Sequence, residues 1–285
     1  TGYLRTLLES LERFQQETLA EVVLVCHPDH RDEVEYMLSN ISVPVPVELV
    51  PFAQETYSYS AALNAGVAAA QSEFVLVCDD DTEALHTHWL GYLLGFAQQD
   101  YVGCVAPRLM SNFGTDARVT GGPLVLGVNG SVVPYNGESG LLDEAGVNSR
   151  LQLSQDVGAV AGHCFMFRKS DWRDVEGFDT ENFGLLYSVL DFCLRLSTRG
   201  KRHVWTPLAN VLHQGGKTIE LLMQDQREKL NFANNDVTER DNLLRLWSKE
   251  LAADSCYNRH LSFFKPFDIE HTIVVDWQPR RKDRP

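Results

Sequence analysis

The sequence lacks closely spaced cysteines and long apolar runs, and it has few basic residues for its acidic content. Six cysteines are spread over 285 residues without a CxxC pair, which argues against a disulfide framework or a zinc site and is typical of reduced, buried thiols. No apolar run reaches the roughly 18 to 20 residues that cross a bilayer. Lys and Arg number 25 against 39 Asp and Glu, a formal net charge of -14. This balance argues against nucleic-acid binding, because a phosphate backbone requires a basic surface.

Short apolar runs alternate with amphipathic segments along most of the chain. Strands are predicted at 21–26, 45–51, 74–78, 102–107 and 157–167, and near 203–206 and 209–212. Helices are predicted at 3–17, directly after Asp29, and at 58–70, 87–98 and 187–199. This alternation indicates an α/β fold with a doubly wound, mostly parallel central sheet flanked by helices. Residues 111–155 are predicted to form loops and short strands, and the last part of the chain a helical extension with a disordered tail.

Three consecutive aspartates, Asp79, Asp80 and Asp81, directly follow the apolar strand predicted at 74–78. Neighbouring carboxylates repel one another, so the arrangement costs stability unless a cation or other groups neutralise it. Side chains alternate between the faces of a strand, which directs Asp79 and Asp81 to one side and Asp80 to the other. Because α/β sheets bind ligands beyond the carboxyl ends of their strands, the converging pair predicts a Mg²⁺ or Mn²⁺ site. The alternative is a solvated turn in which one aspartate caps the next helix.

Four segments, in order, resemble glycosyltransferases of family 2, which are inverting enzymes with the Rossmann-like GT-A fold. YSAALNAGVAAAQSEFVLVCDDDTE (59–83) resembles their nucleotide-sugar core with its DxD metal motif. VGAVAGHCFMFRKSDWRDVEGFDTENF (157–183) and DFCLRLSTRGKRHVWTPLANVLHQGG (191–216) resemble the acceptor half. LWSKELAADSCYNRHLS (246–262) resembles the C-terminal segment of bacterial polysaccharide-assembly members. The similarity extends over most of the chain, from about residue 3 to about residue 264.

The resemblance implies an activity and a set of site residues. The implied enzyme moves a hexose or deoxyhexose from a nucleoside-diphosphate sugar to a hydroxyl of a glycan or lipid-linked glycan, in surface polysaccharide assembly. Asp81 and His213 are the residues expected to bind the Mn²⁺ or Mg²⁺ ion. The residues expected to contact the nucleotide sugar are Asp79, Asp80, Asn64 and Lys217.

The catalytic base is the first departure from the family pattern. Ser188 and Val189 stand where the family has an acidic pair, the second member of which is the usual base. Asp191 is then the expected base, with Asp179 and Glu181 as the other carboxylates. The alternative is a weak or inactive GT-A module that binds nucleotide sugar or acts as a scaffold in a multidomain synthase. A third hypothesis, a nucleotidyltransferase, requires a glycine-rich phosphate loop after the first strand.

The start of the chain is the second departure. Cys26 and His27 follow the strand at 21–26, where the family often has an aspartate that reads the nucleotide base. The family's opening strand has no counterpart before Thr1, and no signal peptide opens the chain, so we expect an excised or trimmed domain.

The similarity also implies a division of the chain. We expect a GT-A domain over 1–220, with a nucleotide-sugar half at 1–110 and an acceptor half at 111–220, and a helical extension and tail over 221–285. The expected location is the cytoplasm or, peripherally, the inner face of the membrane. Other domains of a larger chain are candidate partners.

Overall fold

The structure is a computed structural model, and it describes residues 2–14, 17–54, 57–111, 117–131, 134, 141, 144–215 and 226–270. The described helices are α1 (Gly2–Arg13), α2 (Arg31–Leu38), α3 (Tyr59–Ala69), α4 (Trp89–Ala97), α5 (Lys169–Asp174), α6 (Ser188–Thr198) and α7 (Gln226–Ala252). The described strands are β1 (Val22–Cys26), β2 (Val47–Pro51), β3 (Phe74–Cys78), β4 (Thr82–Ala84), β5 (Val102–Ser111), β6 (Arg118–Gly121), β7 (Gln155–Val157), β8 (Cys164–Arg168) and β9 (Arg202–His213). None of the described helices has the length and apolar character needed to cross a membrane.

The elements predicted in the first 110 residues are confirmed, with small differences at their ends. Helix α3 illustrates the local reasons. Ser58 caps it by accepting a hydrogen bond from the Ala61 N–H, which satisfies one of the unpaired donors of the first turn. Gly66 lets this helix approach β1 closely, because a Cβ at that position would lie 2.9 Å from Val25 Cγ2.

Two strand predictions in the second half of the chain are wrong in extent. The apolar run 157–167 is not one strand, because β7 ends at Val157 and β8 begins at Cys164. The six residues between them form a turn that carries the chain from the edge of β9 to a position between β3 and β5. The two short strands predicted around Pro207 are the single strand β9, whose register against β5 shifts beside this proline.

The larger sheet is mixed rather than mostly parallel in the part of the chain that the structure describes. Its order is β3, β8, β5, β9, β4, with β6 beside β5 and β7 beside β9. Strands β5 and β9 run parallel, and the other described pairs of this sheet are antiparallel. Strands β1 and β2 form a separate parallel pair. The predicted α/β architecture with helices around a central sheet is confirmed.

Both faces of the larger sheet are covered, which explains its continuous apolar strands. Strand β8 divides its side chains between two clusters according to the strand period of two. Phe165 and Phe167 are fully buried on one face, where they pack with α6 and with Leu243 of α7. Cys164 and Met166 lie on the other face, with side chains of α1 and α4. The C-terminal helix α7 therefore shares the core of the sheet.

Candidate active site

The first half of the candidate site is the turn between β3 and β4. The Asp79 N–H donates to the backbone oxygen of His163 at 2.9 Å. The Thr82 hydroxyl donates to the backbone oxygen of Asp79 at 2.7 Å. These two bonds hold the triplet in a tight turn, and the Tyr59 hydroxyl lies 3.2 Å from Asp79 Oδ1. The acidic triplet is thus fixed by backbone pairing and by a side chain of α3.

Pairing of β4 with β9 brings the second half of the site into place. Thr82 is paired with His213 in the antiparallel ladder, so the residue that precedes β4 lies beside the residue that ends β9. The Gln214 N–H donates to the backbone oxygen of Asp81 at 3.0 Å. The His213 Nε2 atom lies 3.3 Å from Asp81 Oδ1, and both side chains are largely buried. This ladder therefore brings the two residues predicted to bind the metal into contact.

His163, which the sequence analysis did not single out, completes the cluster from the turn before β8. Its Nδ1 atom lies 2.8 Å from Asp79 Oδ2. Its ring stacks on the ring of His213, with centroids 4.2 Å apart and planes inclined by 27°. Donor atoms of Asp79, His163 and His213 all lie within 4.8 Å of one another. A polar residue inside the apolar run 157–167 was the available signal, and only the fold brings it to the aspartates.

The charges of the cluster compensate each other on one side of the triplet. Burial raises the pKa of Asp81, but the hydrogen bond and charge of His213, with the charge of His163, outweigh it and hold this pKa below the ordinary value. Burial lowers the pKa of His163, but its bond to Asp79 and the charges of both aspartates raise it above the ordinary value. Asp80 lies exposed on the other side. Partial desolvation and then the charges of Asp81 and Asp79 raise its pKa.

Two cavities flank the cluster. One has a volume of about 380 Å³. Its lining residues are Leu109, Thr120, Gly121, Leu124, Pro134, Ala161, Gly162, His163 and His213. The other, of about 160 Å³, lies at the carboxyl ends of β1 and β2 and includes Cys26, His27, Phe52 and Tyr57. Partial desolvation, followed by the charges of Asp79 and Asp80, raises the pKa of Tyr57, a residue that lines this cavity.

Asp191, the predicted base, does not join the cluster. Its carboxylate is almost fully buried, accepting hydrogen bonds from Arg195 Nε at 2.7 Å and from Trp247 Nε1 at 2.9 Å. Burial raises the pKa of Asp191 and outweighs the opposing effects of Arg195 and Trp247. This environment favours a structural role, and the role of Asp191 as a base stays a prediction.

Of the two other carboxylates that the sequence predicts as bases, Asp179 is held by local hydrogen bonds and Glu181 is exposed. Asp179 Oδ1 accepts the backbone N–H groups of Glu181 and Asn182, and its Oδ2 accepts from Asn182 Nδ2. Glu181 is exposed. Val189, at the position of the usual base, is buried, and a Cβ at Gly162 would lie 3.2 Å from its Cγ2 atom. An apolar side chain thus stands directly behind the segment that carries His163.

Asn64 is bonded to Trp172 and Phe178 rather than turned to an open cavity. Its Oδ1 accepts from Trp172 Nε1 at 3.0 Å and from the Phe178 N–H at 2.9 Å, and its Nδ2 donates to the Phe178 backbone oxygen. Gly177, at φ +82°, allows this approach, since a Cβ there would lie 2.7 Å from Asn64 Oδ1. The predicted contact of Asn64 with the nucleotide stays a prediction. Lys217 lies outside the described residues.

The fold and this arrangement of side chains define the class, an α/β protein of the GT-A type. The crystal structure of GalNAc-T7 with UDP, GalNAc and Mn²⁺ is similar, with a TM-score of 0.55 and 15% identity over 73% of this chain and 40% of that one. The family model of glycosyl transferase family 2 matches residues 2–175. The chain belongs to this family, which confirms the family that its sequence resembles.

Two curated relatives are similar to parts of the chain, and one of them is a glycosyltransferase. The uncharacterized protein y4gI of Sinorhizobium fredii is 30% identical over 210 residues, which cover 72% of this chain and 22% of the relative. The pre-mycofactocin glycosyltransferase of Mycobacterium tuberculosis is 33% identical over 155 residues, which cover 54% of this chain and 29% of the relative. The chain therefore spans less than a third of the length of either relative.

Proposed function

We propose that this chain is a metal-dependent inverting glycosyltransferase that uses a nucleoside-diphosphate sugar. The observation that carries the proposal is the convergence of two carboxylates and two imidazoles between two cavities. Family membership and a fold shared with a protein that holds UDP, GalNAc and Mn²⁺ support it. Of the three hypotheses from the sequence, the nucleotidyltransferase has no comparable support.

The donor set fits a divalent cation. Asp81 and His213 are in contact and largely buried, and carboxylate and imidazole are common ligands of such ions. Asp81 and His213 would hold the ion, and Asp79 and Asp80 would face the nucleotide sugar. When bound, a divalent cation offsets the negative charge that develops on the leaving diphosphate. The smaller cavity would take the nucleotide, with Tyr57 against it.

The larger cavity would take the acceptor, because His163 and His213 are among its lining residues, whereas the smaller cavity lies at the carboxyl ends of β1 and β2. An acceptor hydroxyl that enters there could approach the anomeric carbon in line with the diphosphate, which inverts the configuration. A group within hydrogen-bonding reach must accept the hydroxyl proton. We propose a glycan or lipid-linked glycan as the acceptor, and surface polysaccharide assembly, in the cytoplasm or at the inner face of the membrane, as the setting.

The proposal predicts donor turnover that depends on Asp81. The experiment incubates the protein with Mn²⁺ and a panel of UDP-, GDP- and dTDP-sugars and measures release of the nucleoside diphosphate. Asp81→Asn should lower the rate at least about 100-fold, because it removes a charge that stabilises the bound ion. The matched control, Asp32→Asn, changes an exposed aspartate of α2 and should have no effect. Equal rates in both variants would contradict the site.

The second candidate function is a weak or inactive module that binds nucleotide sugar, and Val189 is the observation that favours it. Valine and aspartate have similar size, so Val189→Asp places a carboxylate behind Gly162 with little change in volume. If the base has been lost, Val189→Asp should raise turnover over the wild type, and the isosteric Val189→Asn should not. Rapid turnover by the wild type that Val189→Asp does not increase would exclude this second function.

A further inference from the structure

His163 and His203 both lie near other possible metal ligands, but the two rings differ in the hydrogen bonds that they make. His203 forms a close group with Cys104 and Cys193, but its ring is fully engaged: Nδ1 accepts the Cys104 N–H, and Nε2 lies 2.8 Å from the Cys193 backbone oxygen. Such a ring has no lone pair left for an ion. The side chain of His163 is half exposed at the wall of the larger cavity and contacts Asp79 through Nδ1 alone.

The imidazole of His163 is not needed to hold the turn in which it lies. The backbone oxygen of His163 accepts the Asp79 N–H, and the Gly162 oxygen lies 3.0 Å from the Tyr59 hydroxyl. Both contacts would persist with any side chain at position 163. The ring of His163 therefore lies in an exposed, polar position beside two carboxylates, although the turn does not require it.

The spacing of the donor atoms matches the ligand shell of one ion. Two ligands on opposite sides of an ion, with bonds of about 2.1 Å, are about 4.2 Å apart. The donor atoms of Asp79, His163 and His213 lie within 4.8 Å of one another, and Asp81 Oδ1 is 3.3 Å from His213 Nε2. His163 therefore lies near enough to Asp79 and His213 to share one ion with them.

We propose that His163 is a further metal ligand, and that the two imidazoles make the site select Mn²⁺, Co²⁺ or Zn²⁺ over Mg²⁺. This inference rests on the proposed function, which requires an ion at Asp81 and His213. Imidazole nitrogen is a good ligand for first-row transition metals, whereas Mg²⁺ prefers oxygen atoms and retains water. One histidine among carboxylates is compatible with either kind of ion, and a second shifts the balance toward the transition metals.

The experiment measures binding of Mn²⁺ alone by the loss of the free-ion electron paramagnetic resonance signal, and then displacement of Mn²⁺ by Mg²⁺. His163→Ala should weaken Mn²⁺ binding at least about 10-fold and change Mg²⁺ binding little. The matched control is His88→Ala, an exposed histidine directly before α4, which should leave both affinities unchanged. His163→Asp, which replaces nitrogen with oxygen, should keep a site but move its preference toward Mg²⁺.

The outcomes separate this inference from the proposed function. If the wild type binds no Mn²⁺, or if Asp81→Asn does not weaken binding, the metal site of the proposed function is overturned. If Asp81→Asn weakens binding and His163→Ala does not, only the role of His163 is overturned. Loss of Mn²⁺ preference in His163→Asp, with an unchanged melting temperature, supports the role of His163 independently of the alanine variant.

Discussion

Two neighbouring positions on α6, Val189 and Asp191, show how a residue type acquires its role from its surroundings. Both are almost fully buried. Residues two apart on a helix face directions about 200° apart, so Val189 packs behind Gly162 while Asp191 meets Trp247 and Arg195. A buried carboxylate whose two oxygens are both bonded stabilises the contact between α6 and α7, and its burial keeps a substrate hydroxyl away from it.

The residue-scale prediction concerns Asp191. Asp191→Ala should lower the free energy of unfolding by about 3 kcal/mol, because it leaves the partly buried Arg195 without its carboxylate. Asp191→Asn keeps the shape and one acceptor oxygen and should cost less. Urea unfolding measures both. If Asp191→Asn abolishes sugar transfer while the protein keeps its stability and its donor affinity, Asp191 is the base that the sequence predicted.

At the scale of elements, β9 connects the site to the core. Its C-terminal residue, His213, pairs with Thr82 beside the aspartates, and near its start His203 binds backbone atoms of β5 and α6. Complete burial lowers the pKa of His203 to about 4, against an opposing effect of the Cys193 oxygen. The neutral ring is therefore the form that joins the three elements.

The element-scale prediction is a loss of stability in acid. Between pH 6.5 and 4 the unfolded chain binds a proton at this histidine and the folded chain does not. The contribution of His203 to the free energy of unfolding is therefore complete above pH 6.5 and is lost as the pH falls toward 4. The difference between 6.5 and about 4 corresponds to about 3 kcal/mol. Unfolding of the wild type and His203→Gln at several pH values measures it. Over this pH range the free energy of unfolding of His203→Gln should fall by about 3 kcal/mol less than that of the wild type. Equal losses would contradict a neutral, buried His203.

At the scale of the whole molecule, α7 and the residues just after it are joined to the rest of the fold by buried carboxylates as well as by apolar contacts. Glu239 is almost fully buried and accepts three backbone N–H groups directly before α6, those of Leu185, Leu186 and Tyr187, at 2.8 to 3.1 Å. Asp254 accepts the Leu126 N–H. Helix α7 thus fixes the loop that leads into α6, including the position of Val189.

The molecule-scale prediction is that α7 and the sheet unfold together. Glu239→Ala leaves three buried or partly buried N–H groups without this partner and should cost about 3 kcal/mol. Asp241→Ala, on an exposed part of the same helix, is the control and should change stability little. Circular dichroism and tryptophan fluorescence should give one coincident transition for each protein. A small separate transition in Glu239→Ala would show that α7 unfolds by itself.

The sequence by itself determined the elements that depend on local patterns. The apolar runs of β3 and β5, the Ser58 cap of α3 and the position of the acidic triplet after β3 follow from periodicity and from interactions a few residues apart. The four similar segments identified the family, because a family pattern is itself local. These features require no knowledge of which distant residues meet.

Only the tertiary structure decided the direction of the strands and the membership of the site. Asp79 and His163 are 84 residues apart in the chain, and Glu239 is 54 residues from the Leu185 N–H that it binds. Such contacts depend on how strands pair and which faces are buried, and no spacing in the sequence encodes them. For the same reason a carboxylate that the sequence offered as a base, Asp191, lies in the core, and a histidine inside an apolar run, His163, lies at the site.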